Sequence, residues 1–540
     1  MTSSTTPWNG ASLRKDESPP FRSVLVANRG EIAVRIIRAC RELGMTTVAI
    51  YSDADAGAQH VRAADKAVRI GPAPATQSYL SMDLIVEAAL AAGAQAIHPG
   101  YGFLAERAAF AETVRSAGLV FVGPAPSTIA ALGDKLGARR LAADIGVDPV
   151  PGTFQPAAVE RVDEADAIVA AAEEIGFPLL VKAAAGGGGR GMRRVEGPPD
   201  LPAALAAGSA EAKAAFGDGS VYLERVVAPA RHIEVQLLGD RFGTIVALGE
   251  RDCSLQRRHQ KLLEESPAPG LTDAERATLL DRAVRIGRAA GLENAATVEF
   301  LFDEGRRFWF LEVNTRLQVE HGVTELVADV DLVRAQFEIA AGRPLSAGIL
   351  GAAQQAPHPV RHAIEVRLSA EDPGRQFAPA PGTVGRWSLP GGPGIRVDSG
   401  VEAGDRVPPD YDPLLAKLLV VDADRPNAIR RLARALDEVQ VTGVQTTLPF
   451  HRFVAMHPGF GEGVISTDWV DAEWTVAAEQ SRNRALDRAA AAAALVVEGS
   501  RTPQDRDVDH ADRHPKPPSI GPTTGWRTAG RSLAVDRWPR

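Results

Sequence analysis

The 540-residue sequence has only two cysteines, Cys40 and Cys253. That excludes a disulfide framework and a cysteine-rich zinc site, and it suits a reducing compartment. No apolar run approaches the roughly 20 residues that cross a bilayer, so no membrane association is expected. Met1 to Pro20 is rich in Ser, Thr and Pro and lacks the apolar core of a signal peptide. It reads as a disordered lead-in, and the expected location is cytoplasmic. Positive charge is also in deficit, with 60 Lys+Arg against 68 Asp+Glu and a net charge of −8. Phosphate backbones are bound by basic faces, so no nucleic-acid partner is expected. No internal repeat is visible. What remains is a globular composition, 45% hydrophobic and 24% charged, with length for three or four domains' worth of core.

Order is expected from Phe21. Ser23-Val-Leu-Val-Ala27 reads as a buried strand and Asn28-Arg-Gly30 as a turn. Ile32, Ile36, Ile37, Cys40 and Leu43 then recur at helical spacing. Thr47-Val-Ala-Ile-Tyr51 is the next strand, so an α/β sheet comes first. Residues 150–226 hold a helix over Asp163–Ile175, the strand Pro178–Lys182 and a glycine-rich stretch, the size of a small lid. Residues 227–345 alternate strands and carry the densest polar motifs. From 360 to 470 the strands are shorter and Gly/Pro-punctuated, followed by a helix around Ala428–Glu438. Beyond 480 lie an alanine run (Ala489–Ala494), a Pro-rich charged linker and a last segment that starts like a fold and stops.

Three stretches carry chemistry. Read as one extended strand, Phe308–Glu320 alternates faces and puts Glu312, Asn314, Arg316, Gln318 and Glu320 on one of them. An ordinary half-exposed strand would explain this, but the mixture is unusual for a solvent face. Glu299, in Thr297–Phe302, adds a carboxylate among apolar residues. Two carboxylates and an Asn make a hard-oxygen set suited to Mg2+ on nucleotide phosphates. The second stretch is Lys182-Ala-Ala-Ala-Gly-Gly-Gly-Gly-Arg-Gly191, whose glycines let backbone N–H groups wrap an anion. It is neither a Walker A loop nor a dinucleotide fingerprint, and a flexible turn is the bland reading. The third, Glu250–Glu265, packs cations, His259 and carboxylates together, and alone it reads equally as a solvated face.

From about Phe21 to Val470 the chain resembles the biotin carboxylase branch of the ATP-grasp superfamily. The matching strings include Ala27-Asn-Arg-Gly-Glu-Ile-Ala-Val-Arg-Ile, His98-Pro-Gly-Tyr-Gly-Phe-Leu104, Gly133-Asp-Lys135, Gly186–Arg193, Glu250–Lys261, Glu312–His321 and Tyr411–Lys417. The resemblance implies an α/β architecture with a Rossmann-like N-terminal domain (21–134) and an ATP-grasp core (135–345) with a mobile glycine-rich lid (about 154–226). A C-terminal α+β domain (355–470) follows, with a helix end, linker and truncated tail over 471–540. It implies ATP contacts for Lys135, Lys182 and the loop glycines Gly187, Gly188 and Gly189. Glu224 with the backbone of Val226 and Val227 would hold the adenine, and His232, Gln256 and His259 would line the nucleotide site. Glu299 and Glu312, with Asn314 nearby, would bind Mg2+ or Mn2+. Lys261, Arg316, Gln318 and the Val319 backbone would position bicarbonate, Glu320 would be the general base, and Arg367 would sit by the biotin ureido group. ATP would supply the energy for placing CO2 on biotin through carboxyphosphate.

Four positions depart from the pattern: Arg107 for Asn, Gly322 for Pro, Asp329 for Gly and Leu448 for Asn. Gly322 is expected to loosen the chain beside the proposed base. No Met-Lys pair, the setting of a biotin acceptor lysine, occurs. Biotin is therefore expected on a separate biotin carboxyl carrier protein, with a carboxyltransferase subunit as second partner and a homodimer as the assembly. Two other readings stay open: an ATP-grasp ligase with another acceptor, and a non-catalytic regulatory paralogue.

Overall fold

The computed structural model describes residues 19–158, 162–184 and 192–474. The loop glycines Gly187, Gly188 and Gly189, most of the lead-in, and the alanine run with the linker and tail after it lie outside the described residues. The first unit is a five-stranded parallel sheet. Its order is Lys66–Gly71, Thr46–Ser52, Ser23–Val26, Ala96–His98, Val120–Phe121. The helix Gly30–Glu42 buries Ile32, Ile36, Ile37 and Cys40 on the stripe that their spacing demands.

The largest element is an eight-stranded antiparallel sheet. Its order is Phe308–Asn314, Asn294–Asp303, Ala230–Gly239, Ile245–Arg257, Gln260–Ser266, His362–Ser369, Leu414–Asp422, Ile395–Ser399. The pairing of Gln260–Ser266 with His362–Ser369 joins the ATP-grasp strands to the C-terminal strands without a break. A three-stranded sheet (Arg193–Val195, Leu179–Ala183, Val221–Arg225), backed by the helices Val162–Ile175 and Leu201–Phe216, forms the unit expected as the lid.

The stretch Phe308–Glu320 is not one strand. Pairing stops at Asn314, an irregular turn runs to Glu320, and a helix starts at His321. Gly322 does not loosen that helix. It is buried in the first turn, where a Cβ would stand 2.4 Å from Leu419 Cδ2. Leu419 fills the space a larger residue would need. Asp329 caps the same helix in the left-handed region, φ 56° and ψ 46°. Asp tolerates that region better than most residues, at a cost of about 1 kcal/mol relative to Gly. Leu448 opens the helix Leu448–Met456 and is buried in the C-terminal core. Arg107 is the exposed N-cap residue of Ala108–Ser116 and makes no side-chain cap.

Candidate active site

A cleft of about 1630 Å³ opens between the parallel sheet, the lid unit and the large sheet. The strands set its chemistry by register. Glu312 lies opposite Glu299, Glu299 opposite Glu234, and Glu234 opposite Arg251, so one row crosses four strands on one face. Gln256 lies opposite Lys261 on the next hairpin. Of the stretch 250–265, read as a possible solvated face, Arg251, Asp252, Glu264 and Glu265 are at most 1% exposed, whereas Arg258, His259 and Gln260 at the hairpin tip are exposed.

Lys261 is the hub. Its ammonium donates to Glu234 (2.5 Å), Glu299 (3.1 Å) and Glu320 (2.7 Å). Glu320 is fully buried; one oxygen faces Lys261 and the other accepts from Arg367 at 3.0 Å. Burial alone would raise its pKa, but Lys261, Arg367 and Arg251 hold it well below the usual carboxylate range. Arg367 also donates to Glu264 through Nε at 2.7 Å. Glu264 is pushed up to about 7 by burial, with the charge of Glu320 adding to the rise against Arg367.

The turn after Asn314 folds back on itself. Arg316 donates to Glu106 (2.8 Å), to the Gln318 amide oxygen (2.9 Å) and to the Asn314 oxygen (3.1 Å). With its oxygen so engaged, Gln318 leaves a buried amide nitrogen without a hydrogen-bond partner among the described residues. Such a donor costs stability unless a ligand accepts from it. The turn thus presents Arg316, Gln318 and Glu320 together, with Arg316 bonded to Gln318.

At the other end, Glu224 is fully buried and accepts from Lys182 at 2.6 Å and Arg139 at 2.9 Å. Its two oxygens are committed, and the Val226 N–H is committed to the Pro178 carbonyl. Lys135, whose pKa burial lowers, projects beside Glu312 and Lys182. Val226, Val227, His232, Gln256 and His259 all line the cleft, His259 from a left-handed turn at φ 64°.

Glu299, Glu312 and Asn314 offer oxygen donors for a divalent cation. Glu312 makes no ion pair or hydrogen bond among the described residues, and burial and the charge of Glu299 raise its pKa. A cation between these two carboxylates would remove that repulsion, so they fit Mg2+ or Mn2+. Asn314 turns its amide nitrogen to Glu299 (2.9 Å) and its oxygen to Arg316, and it would ligate only with the amide turned over.

Comparison with known proteins gives three successive domain matches: biotin carboxylase N-terminal domain over residues 20–129, carbamoyl-phosphate synthase L chain ATP-binding domain over 134–348, and biotin carboxylase C-terminal domain over 365–472. The biotin carboxylase of a Nostoc species is 46% identical over 450 residues, 83% of this chain and 98% of that protein. The chain belongs to the biotin carboxylase family. As a biotin carboxylase it is an ATP-dependent ligase that carboxylates biotin. It is also 44% identical to the biotin-dependent acyl-coenzyme A carboxylase alpha3 subunit of Mycobacterium leprae, over 96% of this chain and 88% of that one. Among solved structures, it is similar to the biotin carboxylase domain dimer of Hydrogenobacter thermophilus 2-oxoglutarate carboxylase, in complex with ADP, its magnesium salt and bicarbonate. That likeness has a TM-score of 0.79 and 42% identity, covering 84% of this chain and 97% of that one.

Every sequence-read site residue outside the undescribed glycine loop lines this same cleft of the biotin carboxylase. Sequence reasoning missed Glu234, Glu106 and Arg139, and gave Arg251 and Glu264 no role beyond membership of the charged stretch Glu250–Glu265. A signal existed for Glu234, since His232, Glu234 and Gln236 alternate and so share a strand face. No local pattern announces Glu264 or Arg139, whose partners are 103 and 85 residues away.

Proposed function

We propose that this biotin carboxylase uses bicarbonate and ATP to form carboxyphosphate, and that Glu320 is the base of that step. The observation that carries this reading is Glu320 itself, one oxygen on Lys261 and the other on Arg367. It stands between the phosphate end of the cleft and the end proposed for biotin. Lys135 and Lys182 would neutralise phosphate charge, and Glu299 and Glu312 would hold the metal. When bound, the metal supplies charge neutralisation on the transferring phosphoryl group.

Bicarbonate would settle on Lys261, Arg316 and the unpartnered Gln318 nitrogen, close to the Val319 backbone. The anion would draw Lys261 away from Glu320 and so raise the proton affinity of the carboxylate. The base would then become competent only when its substrate is present. Glu320 takes the bicarbonate proton as the bicarbonate oxygen attacks the γ-phosphorus and ADP leaves. Carboxyphosphate would then release CO2 for biotin N1. Arg367, permanently charged, would steady the ureido oxygen as N1 loses its proton to phosphate. A closing glycine-rich lid would keep water from the labile intermediate.

Biotin would arrive on a separate carrier protein, with a carboxyltransferase consuming the product; the M. leprae relative supports an acyl-CoA as final acceptor. A homodimer is supported by the dimer of the H. thermophilus domain. A cytoplasmic location is consistent with two free, buried cysteines. Gln318→Ala tests the bicarbonate site. The expected result is a bicarbonate KM raised about tenfold or more, the value of one hydrogen bond to a charged group, with the ATP KM within about twofold of wild type. An unchanged bicarbonate KM would move bicarbonate elsewhere.

A further inference from the structure

Lys417 lies on the strand Leu414–Asp422, outside the set of residues that line the cleft, and its side chain is fully buried. A buried ammonium is costly unless its environment compensates it. Its Nζ donates to the Val319 carbonyl at 2.6 Å, inside the turn that presents Arg316, Gln318 and Glu320. Glu31 stands at 3.6 Å and Asp398 at 3.9 Å.

These partners come from three parts of the chain. Glu31 opens the N-terminal helix Gly30–Glu42, Asp398 belongs to the C-terminal strand Ile395–Ser399, and Val319 to the active-site turn. A second contact locks the same junction. Gly400 packs so closely on that helix start that a Cβ would stand 2.4 Å from the Glu31 nitrogen. Asp398 is held in turn by Arg396 at 2.8 Å, which also donates to Glu325 at 2.6 Å, and Glu325 accepts from Arg35 at 3.0 Å. The ammonium is thus fixed from two sides before it reaches the turn.

The turn needs such a fixture. It lies outside any strand ladder. Its side chains reach Glu106, Lys261 and Arg367, but apart from Lys417 the backbone between Arg316 and Glu320 has only short-range ties among the described residues, such as the His321 ring to the Gln318 carbonyl at 2.8 Å. Those bonds shape the turn but do not set its height above the sheet. The bond from Lys417 does, because it ties the Val319 carbonyl to the strand paired with the Arg367 strand; Lys417 and Arg367 are register partners. A shift of about 1 Å in a reacting group is enough to cost on the order of 100-fold.

We propose that Lys417 is a positioning residue for the bicarbonate step, holding Gln318 and Glu320 at their working distance from Arg367 through the Val319 carbonyl. The proposal rests on the reading of this turn as the bicarbonate site. It is tested with Lys417→Met, which keeps the length of the side chain without the donor, assayed by bicarbonate-dependent ATP hydrolysis beside Gln318→Ala. The expected result is a bicarbonate KM raised about tenfold or more and a lowered kcat, with the ATP KM within twofold of wild type. Equal changes in both KM values, or none in that for bicarbonate, would overturn it. If Lys417→Met does not fold, Lys417→Arg, whose larger head cannot occupy the fully buried position of Nζ without moving the Val319 carbonyl, must show the same selective rise in bicarbonate KM; a wild-type value would overturn the proposal. A Gln318→Ala enzyme with normal bicarbonate KM would instead sink the underlying site reading.

Discussion

Glu320→Gln is expected to lower bicarbonate-dependent ATP hydrolysis by about 10²–10⁴-fold, the range for loss of a positioned general base. Gln matches Glu in shape, and the neighbours keep other partners. Lys261 retains Glu234 and Glu299, and Arg367 retains Glu264. The variant should fold and should bind ATP normally by direct titration, because Glu320 does not stand at the Lys135–Lys182 end. A variant within tenfold of wild type would mean that the proton leaves bicarbonate by another route.

Glu224→Ala is expected to cost about 3–5 kcal/mol of stability, the scale for stripping one partner from a buried ion pair. The carboxylate holds both Lys182 and Arg139, and Arg139 is itself 1% exposed. Removing it leaves two buried cations facing each other at the base of the lid strands. Denaturant unfolding measures the loss, and ATP affinity should fall with it. The pH dependence has a definite sign. Burial would raise the Glu224 pKa, but Lys182 and Arg139 depress it below its ordinary value of 4.5. Its stabilisation is therefore fully present above about pH 4.5 and is lost as pH falls below it. The variant should lack that part of the acid limb. A change of under about 1 kcal/mol would show that Lys182 and Arg139 find other partners.

How much of this was legible beforehand depends on the range of the interactions. Helical and strand periodicity are local, so the Gly30–Glu42 helix and the strands around Glu299 and Lys182 follow from the residues themselves. Glu312 and Asn314 were placed for the right reason, on a strand. Strand alternation groups Arg316, Gln318 and Glu320 as the turn does, but it continues in the sequence after pairing has stopped at Asn314. A lone sequence cannot say where a neighbouring strand ends. Gly322 shows the same limit, since its tightness is set by Leu419, 97 residues on and in another strand. The single eight-stranded sheet rests on the pairing of Leu263 with Val366, which no local pattern encodes.

The most direct test of the central claim is steady-state ATP hydrolysis with Mg2+ and bicarbonate, with and without free biotin, on the wild type and on Arg367→Ala. The account predicts that biotin raises wild-type turnover and that the variant loses most of that rise while still hydrolysing ATP with bicarbonate alone. Equal stimulation of the two proteins by biotin would contradict it.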